Sequence, residues 1–346
     1  MRTYLLPENG TFYKANLHCH TTVSDGRLTP EEIKAHYVKN GYSVVAYTDH
    51  NVMIDHSDLA DESFLPLMGV ELNVAAPKDP DEKWVHRGKT CHFCLIPLEP
   101  DNKVQPLWHR DGKYLTRNAP NYAHLVKFDE NEPDYVRRYS VEGVSEMFKI
   151  ARDKGFFVTY NHPTWSMETY EQYAYYEGMH AMEIVNYECI VSGTDEYNPK
   201  IYDEMLQTGK RLYCIATDDC HGLAGACGGF TMIKADKLEH RAITKALEDG
   251  NFYASMGPTI EELYLEGNEV HIKCSPAKEI FINYGCRKKA KKKAPEGETL
   301  TEAVFKIDPT MFEYFRLTVI DENGKPANTN AYYTADYDIP APEAKE

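Results

Sequence analysis

Short apolar runs alternate with helical patterns along this chain from Ala15 to about Gly250. This alternation favours an α/β fold, in which helices cover the faces of a largely parallel sheet. The runs predict strands at Ala15–Cys19, Ser43–Thr48, Leu65–Leu72, Thr90–Pro97, Phe156–Asn161, Met182–Asn186 and Leu212–Thr217. Helices are predicted from the Thr29 cap to about Asn40 and at Val141–Lys154, Tyr197–Thr208 and Leu238–Asp249. Seven strands of this kind would close into a parallel barrel.

Side chains that bind divalent metals follow most of these runs. The fragments are His18-Cys19-His20, Ser24-Asp25-Gly26, Thr48-Asp49-His50, Gly69-Val70-Glu71, Asn161-His162-Pro163 and Asp218-Asp219-Cys220-His221. A single His-x-His motif is weak evidence, since roughly half of chains with this histidine content would contain one by chance. Six fragments at successive strand ends, where α/β enzymes place their chemistry, predict a metal site.

Spacing within the fragments separates inward-facing from outward-facing side chains. His18 and His20 are two residues apart at a strand end, so both rings point to one face and Cys19 packs on the other. The same spacing relates Asp219 to His221. Glu71 could bridge two cations, because a carboxylate has two oxygens.

Composition restricts the partners. A net charge of −16 argues against nucleic-acid and anionic-membrane partners. The nine cysteines are odd in number and scattered, which favours reduced thiols in the cytoplasm. The first residues are too polar for a secretory signal, and no apolar stretch approaches a membrane span. We therefore expect a cytoplasmic protein whose partner is a small molecule.

Two local patterns are interpreted as structural. The Cys91-x-x-Cys94 motif lies within a strand-like run, which favours packing over a redox or zinc-ribbon role. The basic run Arg287–Lys293 has no interleaved aromatic residues, which favours a solvated loop over a nucleic-acid contact.

The alternation is interrupted twice. Residues 77–133 are rich in Pro, Asp, Asn and Lys, and we interpret them as an insertion over the site. After Gly257-Pro258 the pattern changes to period two, which predicts a small all-β, sandwich-like domain. The predicted domains are residues 1–257 and 258–340.

Taken together and in this order, the fragments resemble the polymerase-and-histidinol-phosphatase (PHP) metallohydrolases. The resemblance spans about residues 12–256 and implies a distorted seven-stranded (β/α) barrel with two or three divalent metal ions. By position, the metal ligands that it implies are His18, His20, Glu71 and Asp219 for one ion, Glu71, His92 and His162 for a second, and Asp25, His50 and His221 for a third. Asp25 stands where some members have a histidine, and His86 is the competing candidate for His92.

Looser patterns resemble the carbaryl-hydrolase-like branch of that superfamily. They are Glu183-Ile184-Val185-Asn186, Ala246-Leu247-Glu248-Asp249-Gly250, Ser255-Met256-Gly257-Pro258 and the β tail from Arg316 to Gly324. They indicate a branch and not a substrate.

Charge favours a phosphoesterase acting on a small organic phosphate. Three divalent ions would outweigh the carboxylates of Asp25, Glu71 and Asp219, so the site would attract an oxyanion. We expect Zn, Mn or Fe to activate a water that attacks phosphorus, with Glu71 and Asp219 essential for the metals. His221 is the candidate proton donor to the leaving group. Arg87 and Trp165 are the candidate substrate contacts.

Two alternatives stay open. The same metals could hydrolyse a carboxyl ester or carbamate, which the branch resemblance favours. The chain could instead be a non-catalytic binding module with a structural metal, although a structural site needs only four ligands.

Overall fold

In the computed structural model, the described residues are 2–77 and 88–341, and they form 19 strands and seven α-helices. The strands are β1 (Arg2–Tyr4), β2 (Thr11–Asn16), β3 (Val44–Tyr47), β4 (Leu65–Met68), β5 (Val70–Ala75), β6 (Thr90–Pro97), β7 (Phe156–Asn161), β8 (Ala181–Asn186), β9 (Tyr213–Thr217), β10 (Phe230–Ala235), β11 (Phe252–Ser255), β12 (Ile260–Glu266), β13 (Glu269–Ala277), β14 (Glu279–Asn283), β15 (Lys289–Lys293), β16 (Leu300–Lys306), β17 (Tyr314–Ile320), β18 (Pro326–Thr329) and β19 (Tyr332–Tyr333). The helices are α1 (Pro30–Lys39), α2 (Ala119–Tyr122), α3 (Val141–Asp153), α4 (Tyr170–Tyr173), α5 (Tyr187–Val191), α6 (Pro199–Gln207) and α7 (His240–Glu248).

Helix ends follow the capping chemistry that the sequence predicts. The Thr29 hydroxyl accepts from the Glu32 backbone N–H, and the Glu32 carboxylate accepts from the Thr29 N–H, with Pro30 in the first turn of α1. The predicted capping box is therefore confirmed. The helices predicted at Val141, Tyr197 and Leu238 are also present, with ends that differ by one or two residues.

Two sheets carry the N-terminal α/β part of the chain. One has the order β5-β6-β7-β8-β9, and the other is a ten-stranded sheet that ends in β11-β10-β2-β3-β4. Isolated bridges between Cys19 and Cys220 and between His50 and Glu71 connect the two sheets near the strand ends. The mixed α/β class is as predicted.

The predicted strand Leu65–Leu72 is wrong as a single element. It forms β4, which pairs with β3, and β5, which pairs with β6 in the other sheet. The change of sheet occurs at Gly69, where an added Cβ would lie 2.9 Å from the Thr48 side chain and 3.1 Å from the Leu95 carbonyl oxygen. Only glycine allows the backbones to approach so closely.

The expectation of a wholly parallel arrangement is also wrong. Strand β6 runs antiparallel to both β5 and β7, while the β2–β3–β4 and β7–β8–β9 pairings are parallel. The bond from the Ala76 N–H to the Lys89 carbonyl oxygen extends the β5–β6 ladder, so β6 returns directly alongside β5. As a result, the beginning of β6 lies at the same edge of the sheet as the ends of β5 and β7.

An all-β region follows α7, in agreement with the period-two pattern. The sheet β1-β12-β13-β16 packs on the β15-β14-β17-β18 end of the ten-stranded sheet. Leu263 and Ile272 of the first sheet share one apolar core with Ile282 and Leu317 of the second. The ten-stranded sheet is continuous from β18 to β11, so this region is hydrogen-bonded to the α/β part.

The basic run is a strand and not the predicted loop. Lys289–Lys293 forms β15, the edge strand beside β14, and its four lysines are exposed. Lysines on an edge strand prevent other strands from pairing there, which explains their position without a ligand. Cys91 and Cys94 are buried free thiols on β6, as the packing interpretation expects. No helix in residues 2–77 and 88–341 has the length and apolarity to cross a membrane.

Candidate metal centre

The predicted ligand residues come together at one edge of the two sheets. His18 and His20 follow β2, His50 follows β3, and His162 follows β7. Asp219 and His221 follow β9, and Glu71 is the second residue of β5. His92 is the third residue of β6, and it reaches the same edge because β6 runs in the opposite direction.

Glu71 occupies the middle of this cluster, where it is 1% exposed. Its Oε1 lies 3.3, 3.1 and 3.2 Å from one ring nitrogen each of His18, His92 and His162. Its Oε2 lies 3.3 Å from His20 Nε2 and 3.1 Å from His50 Nδ1. One carboxylate thus faces five imidazoles, as expected of a group that bridges two cations.

Asp219 provides the test of whether a cation fits. Its Oδ1 lies 3.1 Å from His18 Nε2 and 3.0 Å from His20 Nε2, yet this buried oxygen has no hydrogen-bond partner among the described residues. The two Nε2 atoms are themselves 3.1 Å apart. Buried polar atoms are normally satisfied, and nitrogen lone pairs do not face each other without a proton or a cation between them. The donors therefore fit a bound divalent metal.

A second group of donors surrounds Asp25. Its Oδ1 lies 3.5 Å from His221 Nε2 and 3.7 Å from His20 Nδ1, and its Oδ2 lies 3.7 Å from His50 Nε2. These separations are longer than hydrogen bonds, which leaves space for an ion among the four residues.

The Asp25 loop is held in place by a buried aspartate. Asp49 accepts hydrogen bonds from the backbone N–H and hydroxyl of both Thr21 and Ser24. Gly26 completes the turn, because an added Cβ would lie 2.4 Å from the His20 carbonyl oxygen. Asp49 thus positions Asp25, while His50, the next residue, faces the cluster.

The grouping of donors agrees with the implied ligand sets in two cases of three. Donor atoms within 4.8 Å of one another come from the sets His18, His20, Glu71 and Asp219; His20, Asp25, His50 and His221; His50, Glu71 and His92; and His18, His162 and Glu183. The first set is the one expected, and the second is the expected third set with His20 added. His92 and His162 both contact Glu71 Oε1, but they belong to different sets here.

Glu183 is a buried carboxylate that the sequence analysis named only within a branch pattern and did not assign to the site. Its Oε1 lies 2.7 Å from His18 Nδ1 and accepts from Thr217 Oγ1 at 2.6 Å. Its Oε2 accepts from the His162 backbone N–H at 2.9 Å. A carboxylate on the far nitrogen of a ligand histidine fixes its tautomer and directs its lone pair inward. The available signal was one acidic residue within the otherwise apolar start of β8.

Two of the implied ligands have unusual backbones. His162 has φ 26° and Asp219 has φ 52°, in the left-handed region that non-glycine residues rarely adopt. The Glu196 carboxylate supports the turn after His162 by accepting from the backbone N–H groups of Thr164 and Trp165. Strained backbones of this kind concentrate at functional sites.

The charges of the cluster depend on one another. Burial lowers the pKa of His162, but the hydrogen bond with Glu71 and the charge of Asp219 raise it to about 9. Burial lowers the pKa of His50 to about 3. Burial would raise the pKa of Glu71, yet the surrounding imidazoles hold it well below its usual value. The carboxylates stay ionised and available to a cation.

A cavity of about 400 Å³ opens above the cluster. Besides the metal-binding candidates, its lining consists of Arg117, Trp165, Glu188, Cys189 and Ser192. The Trp165 ring lies edge-on to His92 and His162, with centroids 5.4 and 5.0 Å away, and is 47% exposed. Trp165 thus lines the cavity, and its contact with a substrate stays a prediction.

Of the two predicted substrate contacts, Trp165 and Arg87, only Trp165 lies within the described residues. Arg87 and the competing ligand candidate His86 lie outside the described residues. Arg117, which no sequence pattern singled out, lines the cavity instead.

A family model supports the same assignment. The PHP domain model matches residues 16–248, more than half of the chain. The chain belongs to the PHP domain family. No curated protein matches it.

Two solved structures are similar to this PHP-domain chain. One is a two-domain protein containing a predicted PHP-like metal-dependent phosphoesterase from Bacteroides vulgatus, with 15% identity and a TM-score of 0.43, covering 95% of this chain and 97% of the other. The other is an amidohydrolase from Chromobacterium violaceum with bound sulfate and no metal, with 16% identity and a TM-score of 0.34, covering 60% of this chain and 87% of the other.

Proposed function

We propose that this PHP-domain protein is a metal-dependent hydrolase that acts as a phosphoesterase on a small organic phosphate. The observation that carries the proposal is the convergence of five imidazoles on the Glu71 carboxylate at the base of an open cavity. A structural metal site is closed and needs four ligands, whereas this cluster offers more donors and is open on one side.

The donor groups support the first and third of the proposed metal sets, and the contacts of His92 and His162 with Glu71 Oε1 support the second. His18, His20, Glu71 and Asp219 would hold one ion, Glu71 with His92 and His162 a second, and Asp25, His50 and His221 a third. Mixed imidazole and carboxylate donors suit Zn, Mn or Fe. Such ions would supply a water activated at neutral pH and would stabilise the charge on the leaving oxygen.

Other parts of the chain prepare the site. Glu183 orients His18, and Asp49 holds the Asp25 loop. His221 Nδ1 donates to the Asp219 carbonyl oxygen at 2.8 Å, which directs its Nε2 towards Asp25 and the cavity. That nitrogen could bind the third ion, or it could protonate the leaving oxygen. Trp165 would contact the organic part of the substrate.

Charge favours phosphate over a neutral ester. Three divalent ions would bring more positive charge than Asp25, Glu71 and Asp219 neutralise, so an anionic substrate would be attracted. We also keep as proposals the closure of the strands into a distorted barrel, the division at residue 257, the contact by Arg87 and the cytoplasmic location.

Initial rates on three chromogenic substrates test the function. The protein is reconstituted with Mn or Zn and assayed on a phosphomonoester, a phosphodiester and a carboxyl ester, each with a chelator control. We expect chelator-sensitive turnover of phosphate esters only. Turnover of the carboxyl ester alone would favour the esterase or carbamate-hydrolase alternative. No turnover with metal bound stoichiometrically would favour the binding module.

A further inference from the structure

Arg117 is the one arginine or lysine among the described residues that line the cavity. The carboxylates in the same lining are Asp25, Glu71, Glu188 and Asp219. The Arg117 side chain is exposed, and it forms no ion pair with any residue in the described ranges. A positive charge at this position is therefore available to an anion that enters the cavity.

The neighbouring residue fixes Arg117 to the metal-centre edge. The Asn118 backbone N–H donates to the Ser24 carbonyl oxygen at 3.0 Å, and its Nδ2 donates to the Thr22 carbonyl oxygen at 3.1 Å. Ala119 is fully buried in an apolar cluster with Val23. The segment is thus attached to Thr22, Val23 and Ser24, the residues directly before Asp25.

The backbone at Arg117 adopts a conformation that needs support from its neighbours. Arg117 has φ 52°, a conformation that is unfavourable for a side chain with a Cβ. The Asn118 and Ala119 contacts hold it there, with the Ala119 N–H donating back to the Thr116 carbonyl oxygen at 3.0 Å. A strained residue at a cavity wall is a candidate for function.

Arg117 and Trp165 lie on different walls. Arg117 is attached next to Asp25, whereas the Trp165 ring contacts His92 and His162. A substrate with an anionic group and an organic group can satisfy both walls at once. A guanidinium offers two parallel N–H donors to phosphate oxygens, and a neutral ester cannot use them equally.

We propose that Arg117 binds the phosphate group of the substrate and selects phosphate esters over neutral carboxyl esters, with Asn118 as its positioning residue. The proposal deepens the proposed function and rests on it.

The test uses Arg117→Ala and Arg117→Lys, with Arg110→Ala as the matched control. Arg110 is an exposed arginine of the same segment, but its guanidinium pairs with Asp134 at 3.0 Å and lies outside the cavity lining. All proteins are loaded with the same metal, and metal content is measured. The readouts are kcat/KM on the phosphomonoester and carboxyl ester, and the Kd of inorganic phosphate by calorimetry.

In Arg117→Ala we expect phosphate affinity and kcat/KM on the phosphomonoester to fall about 30- to 100-fold, as for a lost hydrogen bond to a charged group. Arg117→Lys should recover part of the loss, and Arg110→Ala should match the wild type. Carboxyl-ester turnover, where present, should change less than about twofold. Unchanged phosphate affinity in Arg117→Ala would overturn the proposal.

The assays distinguish failure of the proposed function from failure of the role of Arg117. If Arg117→Ala hydrolyses phosphate esters as fast as the wild type, the proposed function stands and the role of Arg117 is excluded. Absence of phosphate-ester turnover in the wild type would remove the function, and the phosphate Kd would still decide whether Arg117 binds the anion. A wild type that does not bind phosphate would overturn both.

A double variant tests the role of Asn118. If Asn118 acts by positioning Arg117, Asn118→Ala should weaken phosphate binding about 3- to 10-fold, and the double variant should equal Arg117→Ala alone. Additive losses at unchanged metal content would assign Asn118 a separate role.

Discussion

Glu71 and Glu168 are both buried glutamates with several polar neighbours, but the neighbours differ in kind. Glu71 faces five imidazoles, whereas Glu168 accepts hydrogen bonds from the hydroxyls of Tyr139, Tyr160 and Tyr176. Burial raises the pKa of Glu168, and the hydroxyl bonds only partly offset that effect. The pKa of Glu71 is lowered instead, because burial is outweighed by nearby imidazoles.

The contrast separates a structural network from a cation site. Tyrosine hydroxyls are neutral donors, so Glu168 is satisfied within the protein. Imidazoles around one carboxylate compete for the same protons, and Asp219 Oδ1 has no hydrogen-bond partner in residues 2–77 and 88–341. Glu71 therefore suits a site that is completed by a cation, and substitution of the two glutamates should have different consequences.

The largest expected effect is that of Glu71→Gln. An amide removes the charge and one of the two acceptor oxygens that both metal sets share, so bound metal and activity should be lost together. We expect kcat/KM to fall more than about 1,000-fold. Metal content by mass spectrometry and initial rates provide the check, with chelator-treated wild type as the control. A variant that keeps full metal content and activity would refute the bridging role.

Glu183→Gln should weaken metal binding without abolishing it. Glu183 contacts the far nitrogen of His18, and loss of such a partner typically lowers metal affinity about 10- to 100-fold. Competition with a chromophoric chelator measures the change. Thr217→Val, which removes one donor to Glu183, is the milder control. Unchanged affinity in Glu183→Gln would show that His18 needs no orienting carboxylate.

Glu168→Gln should lower stability and leave metal content unchanged, the opposite of what we expect for Glu71→Gln. The amide cannot accept from three hydroxyls as a carboxylate does, so we expect about 1–3 kcal/mol less stability with metal content unchanged. Urea unfolding measures the loss, and Tyr139→Phe, which removes one donor, should lose less. If Glu168→Gln lost metal as Glu71→Gln does, the contrast between the two carboxylates would not hold.

The smallest expected effect extends the comparison to two histidines. Carboxylates raise the pKa of His162 to about 9, whereas burial lowers that of His180 to about 4. His180 Nδ1 accepts from the Val158 N–H at 3.0 Å, so the folded state favours the neutral form of His180. The unfolded chain, with a pKa near 6.5, takes the proton first, so stability falls as pH decreases from about 6.5 towards 4.

We expect the His180 contribution to be about 1 kcal/mol between pH 7 and pH 5, after allowance for partial exposure. His180→Asn keeps an acceptor for the Val158 N–H and does not titrate in this range. The variant should therefore lose less stability on acidification than the wild type. Equal acid sensitivity in urea unfolding at the two pH values would exclude His180 as the cause.

Local chemistry explains what could be predicted of the fold. The α1 capping box and strands such as β6, β7 and β9 follow from neighbouring residues, which is why they were found. Strands β10 and β11 were not predicted, and β2 begins and ends earlier than the predicted Ala15–Cys19. The antiparallel direction of β6 and the change of sheet at Gly69 depend on contacts with distant backbones, such as the Leu95 carbonyl oxygen. Period-two patterns do not encode strand direction.

The candidate site shows the same division. His18, His20 and Glu71 were visible because metal-binding residue types recur at strand ends. Glu183 was not assigned to the site, because the pattern that contains it indicated only a branch of the superfamily. Arg117 was missed because its position depends on the Asn118 contacts with Ser24 and Thr22.

The sequence by itself determined the α/β class, the candidate ligands and the PHP family, because residue types and their order carry that information. Only the tertiary structure decided which donors share a space, how Glu71 faces five imidazoles, and which arginine reaches the cavity. Those relations are set by packing between residues far apart in the chain, where angstrom distances determine whether a carboxylate is satisfied by hydroxyls or requires a cation.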